Sequence, residues 1–329
     1  MKSLDRRLAA RRSQGVALIM VLLVVALAVA LATSIASRQS EAIRSTSGHF
    51  NRQQAYYYAR GGEEWARQLL VRDHEVRPNW DGPTDAWMSP ELNYEIADGS
   101  IVLLIEDQER YLNVNQWAGG LQITGAADAS LFSAQMGLDP LWFDELIDFT
   151  DLDQEPQALG AEDYYYLGLE QPYRTSSQRL VHPSELRLLK SMTPEAYARL
   201  KTSLVALPAG ALPMNVNTMP ASSIRLLAPE LTMEAAESVV LTRFQQEGFE
   251  SVQAFLALPE FAGLDIAKFP LGVQSSFFKV RIRVAFLDQV FFLSSLLYRE
   301  PATGQVPLLH RALNEPFVMP EVPRDEDDV

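Results

Sequence analysis

The stretch "DLDQEPQALGAEDYYY", residues 151–166, carries the sharpest chemical signal in the chain. With Asp151 counted as position 1, Asp153 falls at 3, Glu155 at 5 and Glu162 at 12. That is the oxygen-ligand spacing of a helix–loop–helix calcium site. The loop departs from the standard form at position 6, where Pro156 stands in place of the glycine a sharp turn calls for. Asp163 adds a further carboxylate, and Asp148 lies one turn upstream. Carboxylates crowded this closely repel one another unless water or a cation screens them. An all-oxygen set without His or Cys favours a hard ion, Ca²⁺ or Mg²⁺, over zinc. The plainer alternative is a solvated acidic loop. An enzyme would use two of these groups as an acid/base pair, but nothing else in the chain supports that reading. His49, His74, His182 and His310 are scattered, and there is neither a serine elbow nor a phosphate loop. The sequence therefore reads as a non-enzyme without a small-molecule substrate.

The acidic loop sits inside a strand-poor, helix-rich stretch, residues 113–275. Segments such as "PLWFDELIDFTDLD", "TPEAYARLKTSLVAL" and "TMEAAESVVLTRFQQEG" each join a Pro or Thr start to an apolar stripe. "PYRTSSQRLVHPSELRLL" places an ordered helix start at Pro183-Ser184 beside the loop. Residues 214–258 resemble the helix-hairpin-helix module of DNA-binding competence proteins. The entry (Asn215, Asn217, Thr218) and the exit (Gly248, Phe249, Ser251, Leu256) are present. The hairpin glycines are not, "APELTM" (228–233) standing instead, and without them backbone amides cannot easily approach a phosphate. Glu230 and Glu234 would repel one. The module is read as a degenerate scaffold that does not bind nucleic acid.

Two hairpins flank this stretch. Tyr94 and Ile96 alternate, Asp98-Gly99 turns, and Ile101 to Ile105 is a buried strand, within a hairpin segment running on to "LNVN". Downstream, Phe278, Val280, Ile282, Val284 and Phe286 alternate with Lys279, Arg281 and Arg283, Leu287-Asp288-Gln289 turns, and Phe291 to Tyr298 returns. Together they predict one antiparallel sheet packed on a long helix. That helix shows in a stripe of Ile35, Ile43, Phe50, Tyr57, Trp65 and Leu69. Gly48 and Gly61-Gly62 are expected bending points. The insertion is too long for a loop and must be a domain of its own.

The helix begins in an apolar run. Val16 to Ala32 is uninterrupted, and the run continues to Ala36, 21 residues with only two hydroxyls. At 1.5 Å per residue this spans about 31 Å, the hydrocarbon thickness of a bilayer. Before it, Lys2, Arg6, Arg7, Arg11 and Arg12 stand against Asp5, an excess that keeps this end cytoplasmic. Three readings fit: a secretory signal, an uncleaved anchor, and a leader cut after Gly15 with the apolar run retained. The full chain of 329 residues has a net charge of −14, unsuited to a nucleic-acid surface, and no cysteine for disulfides or thiolate metal sites.

In this order, the glycine-then-apolar start, "RQQAYYYARGGEEWA", "IEDQERYLNVN", "DLDQEPQALGAEDYYY", "PYR", "SELRLL", "NVNT" and the final hairpin resemble the K-type minor pseudopilins of type II secretion systems, over about residues 11 to 300. The resemblance implies an α+β, pilin-like fold: a long N-terminal transmembrane and stalk helix on an antiparallel sheet, interrupted by a large all-α insertion. It implies residues 1–15 as a prepilin leader, 16–36 as the transmembrane helix, and 37–112 as stalk and first strands. Residues 113–275 would be the insertion, 276–312 the returning strands, and 313–329 an acidic, disordered tail. It further implies cleavage after Gly15 by prepilin peptidase and N-methylation of Val16. Calcium would be bound at Asp151, Asp153, Glu162 and Asp163, with Glu155 left out. The subunit would lie at the pseudopilus tip with I- and J-type minor pseudopilins, anchored once in the cell inner membrane with most of the chain periplasmic. Met20 stands where ordinary pilins keep a glutamate, so the usual pairing with a subunit above would be missing. The rival reading is a membrane-anchored periplasmic binding module unrelated to filaments.

Overall fold

The computed structural model describes residues 2–89, 92–120, 128–210, 212–264, 266 and 269–317, with the side chains of residues 2–16 and 120 outside the described set. The first element is a single helix, α1 (Lys2–Val76). Strands β1 (Asn93–Ile96) and β2 (Gly99–Asp107) form a hairpin whose turn puts Asp98 at φ 63°, as the Asp-Gly pair predicts. The chain then leaves the sheet and returns at β7 (Phe277–Phe286), β8 (Gln289–Tyr298) and β9 (Leu308–Leu313). The antiparallel sheet has the order β1-β2-β7-β8-β9.

Helix α1 packs on this sheet through small residues. Ala55, Ala59, Gly62, Ala66 and Leu70 are buried against Leu103, Ile105, Val280 and Ile282. The expected bulky stripe is not the packing face: Ile35, Ile43, Phe50 and Tyr57 are exposed, and only Trp65 and Leu69 reach the core in part. Small side chains let a helix axis come close to a sheet, and the large ones are turned outward. The helix runs unbroken through Gly48, Gly61 and Gly62. A Cβ on Gly62 would meet Ile282 Cγ2 at 3.3 Å and Ile101 Cγ2 at 3.4 Å, so this glycine sets the approach distance.

The insertion contains short helices around its own core: α2 (Ala129–Gln135), α3 (Leu141–Thr150), α4 (Asp163–Tyr166), α5 (Pro194–Leu200), α6 (Ala221–Arg225), α7 (Met233–Gln245) and α8 (Val252–Leu256). It also holds two-residue strands in parallel pairs, β3 (Leu112–Asn113) with β4 (Leu204–Val205) and β5 (Met214–Asn215) with β6 (Leu271–Gly272). "LNVN" therefore belongs to the insertion and not to the first hairpin.

These pairs expose an internal repeat. Asn115 Nδ2 donates to Leu180 O (2.8 Å) while its Oδ1 accepts from Leu180 N (2.9 Å). Asn217 makes the same pair of bonds with Phe249, at 2.8 and 2.7 Å. Two residues beyond each partner a helix is capped, by His182 and by Ser251. Each repeat thus runs from Asn-Val-Asn through a helical hairpin (α2–α3, then α6–α7) back to a parallel strand. They differ chiefly after the second helix, where residues 151–179 of the first repeat replace Gln246–Gly248 of the second.

The two cores meet at a polar joint. Asp107, at the end of β2, accepts from Thr218 Oγ1, from Ser275 Oγ (2.6 Å) and from Glu109 N (2.7 Å). Glu109 Oε1 accepts from the backbone N–H of Ser276 (2.7 Å) and Phe277 (3.0 Å), where the chain re-enters the sheet. Asp81 accepts from Ser275 N and from Arg299. The entry motif Asn215, Asn217 and Thr218 is thus wholly engaged inside the protein. The first residues of the expected tail continue onto the sheet. Asn314 N donates to Phe292 O, Glu315 pairs with Lys279 (3.0 Å), and Phe317 stacks edge-on against Phe292. Disorder is therefore not the state of 313–317, and the remainder of that expectation, residues 318–329, lies outside the described residues.

Candidate functional site

The acidic loop follows the C-terminal turn of α3. Asp148 is in that last turn and fully buried, and Asp151 is the residue that ends the helix. Their spacing of three puts both on one side of the helix end. Glu162, the residue that starts α4, closes the group. One carboxylate oxygen from each of Asp148, Asp151 and Glu162 lies within 4.8 Å of the others. The intervening loop is folded back onto α3: Gln157 N donates to Asp148 Oδ1 (3.0 Å) and Leu159 N to Asp144 Oδ2 (3.1 Å). Gly160 presses on Asp148 so closely that any Cβ there would collide with its carboxylate.

This is an unfavourable place for bare negative charge. The carbonyl end of a helix is itself the negative pole of the helix dipole, and α3 has no basic residue in its last turn. Glu162 is only 5% exposed, and neither of its carboxylate oxygens has a hydrogen-bond partner; Asp151 Oδ1 has none either. Burial, followed by the charges of Asp148, Asp151, Asp153 and Asp163, pushes Glu162 up to about 7. Burial and then Asp153 and Asp148 push Asp151 to about 6. Orphaned buried oxygens converging at a helix C-terminus are what a hard divalent cation would satisfy, so the donor set fits Ca²⁺ or Mg²⁺.

Of the four residues expected as ligands, the structure brings Asp151 and Glu162 together. Asp153 is exposed and accepts from Glu155 N (2.9 Å). Asp163 faces elsewhere, accepting from Thr175 N (2.8 Å), Thr175 Oγ1 (3.0 Å) and Arg174 Nη1 (2.9 Å), and these bonds hold its carboxyl below its ordinary value. Asp148 takes its place. Glu155 is exposed, in keeping with its omission. The second tight carboxylate group, Asp73, Asp81 and Asp85, already has its cations: Arg299 bonds Asp73 (2.9 Å) and Asp81 (2.5 Å), and Arg77 pairs with Asp85.

At the other end of the molecule, α1 is long and apolar enough to cross a membrane, and the side chains of its apolar run from Ala17 onward, Met20 among them, are exposed. Gly15 and Val16 lie within α1.

Residues 129–209 and 214–274, the two halves of the insertion, match the family described as Type II secretion system (T2SS), protein K. A type II secretion system protein K of Pectobacterium carotovorum is 32% identical over 313 residues, covering 90% of this chain and 95% of that protein. The chain belongs to this family. The protein K of Pseudomonas aeruginosa is 35% identical over 306 residues, covering 88% of this chain and 90% of the relative. The solved GspK-GspI-GspJ complex of the enterotoxigenic Escherichia coli type 2 secretion system contains a chain of the same fold, with a TM-score of 0.70 at 24% identity over 82% of this chain and 99% of that one. The protein is accordingly a minor pseudopilin of type II secretion, and its relatives are named as secretion-system components. A binding module unrelated to filaments is not favoured. The N-terminal helix fits a single-pass anchor.

Proposed function

We propose that this chain is the tip subunit of a periplasmic pseudopilus, anchored in the inner membrane and assembled with I- and J-type minor pseudopilins, and that it takes part in export of folded proteins across the outer membrane. The observation that carries the reading is the position of the insertion. It springs from the end of the sheet beside Asp73 and Asp81, near the last turn of α1 and farthest from the apolar run. From Thr33 to Val76 the helix rises about 65 Å at 1.5 Å per residue. A bulky unit at that end leaves no room for a like subunit stacked above. Met20, apolar where a pilin carboxylate would pair with such a subunit, agrees. The related complex of GspK with GspI and GspJ supports the choice of partners.

In this reading prepilin peptidase cuts after Gly15, and Val16 becomes the methylated terminus. Loss of the +4 leader takes the formal charge from −14 to −18. Asp148, Asp151 and Glu162 hold a structural Ca²⁺ at the end of α3. Mass spectrometry of the mature protein tests the processing: an intact Met1, or a terminus near Ala36, contradicts it. Co-purification of the periplasmic part with I- and J-type pseudopilins tests the assembly, and failure of both to associate overturns the tip assignment.

A further inference from the structure

Helix α1 covers one face of the five-stranded sheet. Strand alternation sends Val280, Ile282 and Val284 of β7 toward the helix and Lys279, Arg281 and Arg283 to the outer face. In register with these cations stand Val102 and Leu104 of β2, beside Arg283 and Arg281, and Phe292 and Leu296 of β8, beside Arg283 and Lys279. The outer face is thus a basic row on an apolar floor, and all of these side chains are half-buried. At the end next to the insertion, Leu296 packs against the small cluster of Val205, Leu207 and Phe277. Farther along, the chain itself crosses the face after β9. Glu315 pairs with Lys279 (3.0 Å), and Phe317 stacks on Phe292 with ring centroids 5.7 Å apart. Phe292 is the register partner of Arg283, so residue 317 stands one strand from that guanidinium.

The three cations differ in what they hold. Lys279 has Glu315, and Arg281 has Glu106 at 3.3 Å. Arg283 has no carboxylate partner among the described residues. The sequence that follows residue 317 is matched to it. Residues 318–329, "VMPEVPRDEDDV", carry Glu321, Asp325, Glu326, Asp327 and Asp328 against the single Arg324. Val318, Met319 and Val322 supply apolar side chains, and Pro320 and Pro323 suit an extended path better than a helix. A segment of this length reaches about 40 Å when extended, whereas crossing from β8 over β7 and β2 to β1 takes about 14 Å. The tether also keeps these acids at an effective concentration of about millimolar near the face, an advantage over any acidic segment arriving from another molecule.

We propose that residues 318–329 form a strap across the outer face of the sheet. It continues the path begun by Glu315 and Phe317, sets Val318 and Met319 on the apolar floor, and brings the carboxylates of residues 325–328 to Arg283. A single exposed ion pair holds little, so the strap depends on several carboxylates converging on the row together with the apolar contact. While it is docked, it withholds Arg283 from any other acidic partner.

The chain has no cysteine, so Asn93→Cys, exposed on β1, and Val329→Cys take spin labels cleanly in the full-length protein. The expected interlabel distance distribution is narrow in about 50 mM salt and broad in about 1 M, where charges are screened beyond about 3 Å. Arg283→Glu should be broad already at low salt. Should Arg283→Glu fail to fold, Asp325→Asn, Glu326→Gln, Asp327→Asn and Asp328→Asn together test the same contact from the side of the tail. A distribution that is broad in the parent at low salt, or that stays narrow in these charge variants, overturns the proposal. So does a narrow distance that vanishes on dilution with unlabelled chain, which would give the face to the tail of a second copy.

Discussion

Glu162→Gln separates the cost of the acidic cluster from the gain of a cation. Without an ion, ionised Glu162 faces Asp148 and Asp151 within 4.8 Å. At that distance each like-charge pair costs about 1 kcal/mol at the dielectric of water and about 3 kcal/mol at an effective value of 20. The lower figure over two pairs gives about 2 kcal/mol as a floor. At about pH 8, above the value to which Glu162 is pushed, Glu162→Gln should therefore be more stable than the parent in chelator. For a folding unit the size of the insertion, this is about 4–8 °C in melting temperature. Calcium at a hundred times its dissociation constant adds about 2.7 kcal/mol to the parent, about 5–11 °C. The variant, lacking a ligand, gains little. Differential scanning calorimetry in chelator and then in excess Ca²⁺ reads both effects. The reasoning fails if calcium raises the two proteins equally or neither, or if the variant melts below the parent in chelator.

Other substitutions follow from the same geometry. Asp163→Asn should leave calcium affinity within about fivefold by isothermal titration, because an exposed ion pair is worth under about 1 kcal/mol. Asp148→Asn should lower it by more than about tenfold. Gly62→Val should cost about 1–3 kcal/mol in urea unfolding by wedging a side chain between Ile101 and Ile282. Gly61→Ala, with open space at its Cβ, should gain about 0.5–1 kcal/mol. Asn217→Ala strands both backbone groups of Phe249 in the core and should cost about 2–5 kcal/mol by the same measurement.

The hairpins were legible because two signals agreed in each: period-two alternation along the strands and a turn-forming break between them, Asp98-Gly99 in the first and Asp288 in the second. The stalk helix was legible as a helix but not as to its packing face. Bulky residues seven or eight apart make a visible stripe, whereas a close helix–sheet contact is lined by Ala55, Ala59, Gly62 and Ala66, which leave little trace in a hydrophobicity pattern. At the acidic loop, counting along the chain found Asp151 and Glu162. It noted Asp148 one turn upstream but left it out of the expected ligands, although the rotation of a helical turn brings it to the other two, and it could not foresee Arg174 and Thr175 drawing Asp163 away. The repeated "NVN" at 113–115 and 215–217 was visible in the letters; its meaning needed the matched bonds from Asn115 and Asn217.

The two repeats make the same step at very different lengths. The second repeat closes the path from helix to exit with Gln246–Gly248, so a short elbow is sufficient for the architecture. The first repeat spends residues 151–179 on the same step, and the orphaned carboxylates of the pair Asp151 and Glu162 lie within that excess. The first repeat thus makes this step with a long segment that also lends Ala161 and Tyr166 to the insertion core. A chain in which the elbow of the second copy replaces the long one would lose Asp151 and Glu162 together with Tyr166, which packs on Phe149 in the insertion core, so the acidic cluster and the packing of this repeat come as one piece.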